Sequence, residues 1–123
     1  MGREDDLYDE IRRDAGDVQA IARRLGWKPR NIDKVKRHLF LDEHLLDRYE
    51  PLGVPATTAR FDADARIAEV WARLKAGEWT SADLQLMRHE AAEAWYMRKH
   101  GPSYRRAHEA AQRRYPAPLE LWN

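Results

Sequence analysis

The chain predicts an all-α fold, a compact single domain of five or six helices that includes a helix-turn-helix-like pair. Three observations lead there. Strand signals are nearly absent, because β-branched residues are few and no stretch alternates apolar and polar residues over four or more positions. Apolar residues instead recur at spacings of three and four, in stretches that end at Gly or Pro. With 123 residues, 43% of them apolar and 35% charged, the chain suits one domain burying roughly two thirds of its unfolded surface.

The elements follow in order over a single domain, 1–123. Residues 1–15 read as an N-terminal extension. Asp17 caps a short helix through Leu25, stopped by Gly26. Pro29 opens the next, whose stripe Ile32, Val35 and Leu39 is expected to run on into Leu41, Leu45 and Leu46 and to end before Pro51. Pro51, Gly53 and Pro55 make Glu50 to Phe61 an ordered connecting loop. Asp62 caps a helix with Ile67, Val70, Trp71 and Leu74 inward, stopped by Gly77. Thr80-Ser81-Ala82-Asp83 forms a capping box with Asp in place of the usual Glu, starting a helix Ser81–His100 that bears Leu84, Met87, Ala91, Ala94 and Trp95. Gly101-Pro102 ends it. Ser103 caps the last helix, Tyr104 to about Tyr115, and Pro116 with Pro118 releases a tail, 116–123, ending in Leu121-Trp122.

Composition removes several function classes. Without cysteine there is no disulfide, thiolate nucleophile or Cys-type zinc site. Twenty-two Lys and Arg against twenty-one Asp and Glu leave a net charge of +1, so nucleic acid is not held by bulk charge, and any basic surface is local. Mean hydropathy is -0.86. No apolar run approaches the roughly 18 residues of a membrane span, and the N-terminus lacks a signal-peptide core, so neither a membrane partner nor a Sec signal is expected.

The most chemically suggestive segment is Arg88-His89-Glu90-Ala91-Ala92-Glu93. On a helix His89 and Glu93 share a face one turn apart, while Glu90 lies about 100° round. A carboxylate so placed raises an imidazole's pKa and fixes its tautomer, leaving the other nitrogen to move a proton. On an open helix surface the same pair is an ordinary ion pair contributing tenths of a kcal/mol. Its position beside the apolar stripe favours partial burial. The zinc-peptidase helix needs His-Glu-x-x-His, and here Glu93 stands where the second His belongs. A His/Glu/His set of His89, Glu93 and His108 is conceivable if the fold brings the last two helices together. No Glu-x-x-His unit exists for a di-iron site. Upstream, His38 sits three residues after Val35, at the core edge, whereas His44 is expected on a solvated basic face.

A second signal is of another class. Ala22 precedes Gly26 by four, Pro29 begins a new helix, and Leu25, Trp27, Ile32 and Val35 fall on inward positions, as in a helix-turn-helix. If that pair reads DNA, Arg30, Asn31, Asp33, Lys34 and Arg37 face the groove, with Asp33 unfavourable there. Lys36 and, near the other end, Arg105 are further candidate phosphate contacts.

Taken together, Gly26-Trp27-Lys28-Pro29-Arg30-Asn31-Ile32, Lys34-Val35-Lys36-Arg37-His38-Leu39-Phe40 with His44, Arg60-Phe61-Asp62, Ile67 to Leu74, Leu86-Met87-Arg88-His89-Glu90 and Tyr104-Arg105-Arg106-Ala107-His108 resemble C-terminal toxin modules of bacterial polymorphic toxins. Arg37 and His44, seven apart, also fit the loose Arg/His spacing of helical ribonucleases of the HEPN class. The toxin resemblance covers about Leu25 to Tyr115. It implies a secreted or contact-delivered effector acting in a target cell's cytoplasm, neutralised in the producer by an immunity protein, and most often a nuclease; otherwise a cytoplasmic protein is expected. Under that reading His89 is the general acid or base, Glu93 orients it, His108 or His38 is the second proton-transfer group, and Arg37 or Arg88 stabilises phosphoryl charge. Glu90 and His44 complete the matching positions. RNA cleavage through the 2′-OH needs no cofactor and no metal, whereas DNA cleavage calls for a divalent ion. The alternatives are a non-enzymatic helix-turn-helix DNA-binding protein and a helical protein-interaction module.

Overall fold

The computed structural model describes residues 2–118; the expected end of the tail at Leu121-Trp122 lies outside them. The chain is mostly helical, with helices α1 (Arg3–Arg13), α2 (Asp17–Leu25) and α3 (Pro29–Lys36), strands β1 (His44–Leu46) and β2 (Thr57–Ala59), and helices α4 (Ala65–Ala76), α5 (Ser81–His100) and α6 (Tyr104–Arg114). The expected all-α class holds, with β1 and β2 as the only strands among the described residues and one isolated bridge between Leu45 and Ser103.

Local rules account for most boundaries. Gly26 takes φ 72° after α2, and Pro29 opens α3 at its first turn. The Thr80 side chain accepts from the Asp83 backbone N–H while Asp83 reaches back to the Thr80 N–H, completing the capping box. Ser103 caps α6 by accepting from the Arg106 N–H.

Four expectations are corrected. The expected N-terminal extension contributes to the core, because α1 packs on α4 and buries Tyr8 edge-on against Phe40, their ring centroids 4.8 Å apart. Asp17 is not a cap. It is the first residue of α2 and is buried, accepting from Lys36 Nζ at 2.8 Å and from Trp71 Nε1 at 2.9 Å. Asp64, not Asp62, caps α4, accepting from the Arg66 N–H. The stripe after α3 stops at Leu41: a π-helical turn, Arg37–Leu41, closes the helix, and Leu45 and Leu46 pair in antiparallel register with Thr58 and Thr57. His38, Leu39 and Phe40 are all buried within this turn.

The core is built from Ile21, Ile32, Val35, Leu39, Phe40, Val70, Trp71, Leu74, Leu86 and Met87. Helix α5 packs on α3 and α6, and α4 on α1 and α2. Trp95, expected on the inner stripe of α5, is about half exposed. Its place is taken by His89, Glu90 and Glu93, which lie on the buried face.

Candidate metal and acid–base centre

The π-helical turn supplies His38, α5 supplies His89, Glu90 and Glu93, and α6 supplies His108. All three imidazoles converge on one carboxylate. His38 Nε2 donates to Glu93 Oε1 at 2.7 Å, and His89 Nε2 and His108 Nδ1 each lie 3.3 Å from Glu93 Oε2. Glu93 and His89 are each about 1% exposed and His38 3%. A surface ion pair on α5 is therefore ruled out by burial.

The surroundings fix the rings. His89 Nδ1 donates to the Tyr115 carbonyl at 2.8 Å, so its Nε2 is the nitrogen facing Glu93. The His89 and His108 rings meet edge to face at 5.1 Å. His44, expected on a solvated face, is buried instead: its Nε2 donates to the His38 carbonyl at 2.8 Å and its ring stacks on Phe61 at 4.5 Å.

Electrostatics separate the two carboxylates. Burial would push Glu93 up, but hydrogen bonds from His108, His38 and His89 hold it well below the ordinary carboxylate range. Burial, reinforced by the neighbouring charge of Glu93, pushes Glu90 up. Burial works against charge on His38, yet Glu90 and Glu93 outweigh it and raise its pKa to about 9. His89 is raised for the same reason, Glu93 and Glu90 outweighing burial, whereas burial lowers His44.

Glu90 Oε2 lies 3.4 Å from His38 Nε2 but completes no hydrogen bond, and it is buried. It lines a cavity of about 200 Å³ together with Glu93, Tyr8, Tyr104, Phe61 and Asp62. Tyr8 lines the same cavity, and its hydroxyl is buried without a completed hydrogen bond. Two incompletely satisfied polar groups facing one cavity mark a place for ordered water or ligand.

The remaining expected residues fall elsewhere. His89 does not suit free acid–base exchange with a substrate, because both its nitrogens are engaged and its ring is buried. Arg88 lies on the exposed side of α5, two turns from Trp95 and away from the carboxylates. Arg37 is exposed and paired with Asp33 at 3.0 Å, yet it lines a second cleft, of about 460 Å³, with Lys34, Arg98, His38 and His44. Arg30 is exposed near the start of α3. Lys36 is not a nucleic-acid contact: it is 6% exposed, with its ammonium donating to Asp17 and to the Asp14 carbonyl. Arg105 is partly buried, its backbone N–H donating to Asp47. Sequence reasoning missed Tyr8, Tyr104 and Arg98. The i, i+4 spacing of Tyr104 and His108 on α6 was the available signal for Tyr104.

No protein-family model, curated protein or solved structure matches this chain.

Proposed function

We propose that this chain is a nuclease-type toxin module that hydrolyses phosphodiester bonds of RNA or DNA at the centre formed by Glu90, Glu93 and the three histidines. The observation that carries the reading is Glu90. It is a buried carboxylate with a raised pKa and an unsatisfied oxygen, facing a cavity beside a carboxylate held by three imidazoles. Perturbed, pre-organised titratable groups of this kind are characteristic of catalytic sites, and a raised carboxylate pKa suits a general base near neutral pH.

In this reading Glu90 takes a proton from water, the water oxygen bonds to phosphorus, the bond to the leaving oxygen breaks, and the proton passes to that oxygen. His38 supplies positive charge beside Glu90, and Glu93 holds the imidazoles in place. Lys34, Arg37 and Arg98 line the separate cleft on the other side of His38, where a phosphate backbone finds cationic partners, although Asp42 and Glu43 line it too. In the toxin setting the target is the cytoplasm of a competing cell, and the natural antagonist is an immunity protein. A DNA-binding helix-turn-helix role has a smaller support: Arg30, Asn31 and Lys34 are exposed along α3, but Lys36 is withdrawn into the core.

The test is digestion of total RNA and of plasmid by the purified chain, alongside its toxicity on expression in bacteria. Degradation and growth arrest are expected, both lost in Glu90→Gln. A folded wild-type chain that shifts nucleic acid on a gel without shortening it overturns the proposal in favour of simple binding.

A further inference from the structure

We infer that His89 Nε2, Glu93 Oε2 and His108 Nδ1 are the protein ligands of a divalent transition cation of the zinc class. This names the cofactor of the centre proposed above, and it rests on that centre being a functional site rather than packing alone.

The distances carry the argument. In a tetrahedral zinc site with bonds of about 2.0–2.1 Å, neighbouring ligand atoms stand about 3.3–3.4 Å apart. His89 Nε2 to Glu93 Oε2 is 3.3 Å, and so is His108 Nδ1 to Glu93 Oε2. Both exceed the roughly 2.7–2.9 Å of a charge-assisted N–H···O bond, so the hydrogen bonds these atoms make are long, at the separation two ligands of one ion keep. All three ligand atoms lie within 4.8 Å of one another.

A second grouping, His38 with Glu90 and Glu93, also falls within that distance. It fits a cation less well, because His38 Nε2 and Glu93 Oε1 are 2.7 Å apart, too close for two ligands of one ion and right for a hydrogen bond. His38 is thus an outer partner, orienting the Glu93 carboxylate through its other oxygen.

The outer contacts of His89 and Glu93 suit a metal centre. Ligating histidines ordinarily donate their second ring N–H to a carbonyl or carboxylate, and ligating carboxylates are hydrogen-bonded in turn. His89 donates to the Tyr115 carbonyl, and Glu93 accepts from His38. Two imidazoles and one carboxylate are also the donor types that borderline-soft zinc takes, with three protein ligands leaving a position open, as in catalytic sites. Glu90 then follows His89 directly in sequence, outside the ligand set, as the base of the centre. Bound there, such a cation would polarise a phosphoryl oxygen and make water a better nucleophile at neutral pH.

The experiment is metal analysis of the purified full chain after dialysis against zinc, with the absorption spectrum of the cobalt(II)-loaded protein as the geometric readout. One equivalent of zinc and intense tetrahedral cobalt bands are expected. His108→Ala, at the most exposed of the three ligands and so the variant best placed to stay folded, should lose at least tenfold in zinc affinity, and Glu93→Gln should lose both signals. Glu90→Gln should keep them, as should His100→Ala at the exposed end of α5. Substoichiometric zinc with featureless cobalt spectra in the folded wild type overturns the inference, as does zinc affinity unchanged in His108→Ala. The two proposals fail separately. Zinc binding without phosphodiester cleavage defeats the nuclease reading alone, and cleavage undiminished by EDTA in a chain that binds no zinc defeats the metal assignment alone.

Discussion

Lys36→Met is expected to destabilise the fold by about 3 kcal/mol while leaving the affinity of the folded protein for nucleic acid unchanged. The side chains of Lys36 and Asp17 are only 7% and 1% exposed, and their charged atoms meet at 2.8 Å. Methionine keeps the unbranched stem and its packing, so the loss comes from the charge and its two hydrogen bonds, to Asp17 and to the Asp14 carbonyl. Breaking one side of a buried ion pair typically costs about 3–5 kcal/mol. The lower end applies because Asp17 keeps its bonds from Trp71 Nε1 and the Val18 N–H. With an unfolding entropy of about 2.1 cal/mol/K per residue, that loss lowers the Tm of a 123-residue domain by about 12 °C. Urea and thermal melts of wild type, Lys36→Met, Asp17→Asn and the double variant measure it. The double variant should lose clearly less than the two singles combined, since removing both partners leaves no orphaned charge. A Tm within 2–3 °C of wild type for Lys36→Met, about 1 kcal/mol or less on the same scale, would refute the buried-network reasoning. A flattened salt dependence of nucleic-acid binding in the folded variant would return Lys36 to the surface role its sequence position suggests.

Other outcomes follow from the same geometry. The Asp83 carboxyl is fully buried; burial would raise its pKa, but bonds from Arg73 at 2.8 Å and from the Thr80 N–H hold it below its usual value. A depressed folded-state value gives stability present above the unfolded pKa, about 4, and lost as pH falls through the folded one. Asp83→Asn should therefore cost about 2–3 kcal/mol at pH 7 and progressively less toward pH 3 in urea melts; a pH-independent loss would contradict the pairing. Thr80→Ala removes the cap of α5 and should cost about 1 kcal/mol by the same melts, with no change expected in zinc content. Gly26→Ala meets no atom within 4 Å, so only its φ of 72° opposes it, and a loss of about 1–2 kcal/mol is expected, with a smaller one for Gly26→Asn. Equal stability of all three chains would show that the turn relaxes.

What the sequence disclosed was local. The span Ser81–His100, its capping box, the Pro29 start and the Gly26 stop depend on neighbours within four residues, and so does the stacking of His89 on Glu93. The rest needed distance. His38 reaches Glu93 across 55 residues, and nothing in its spacing from Val35 foretells that contact. His44 becomes buried because the chain leaves the helix at Leu41 and returns as a strand, a change prepared by a π-helical turn with no sequence mark of its own. Two misreadings had available signals. Leu7, Tyr8 and Ile11 recur at helical spacing within residues 1–15, and Lys36 sits four after Ile32 and three before Leu39, on the apolar stripe itself. A lysine there forecasts a buried partner, and Asp17 is that partner. Glu90 was singled out beside His89, but its importance depends on an orphaned oxygen and a cavity that only tertiary packing creates.

The most direct test of the central claim is the ratio of phosphodiester cleavage rates between wild type and Glu90→Gln, each verified as folded by its melting curve. The account predicts a loss of about 10²–10⁴-fold in a Glu90→Gln protein that still melts cooperatively. Equal rates in the two folded proteins would contradict it.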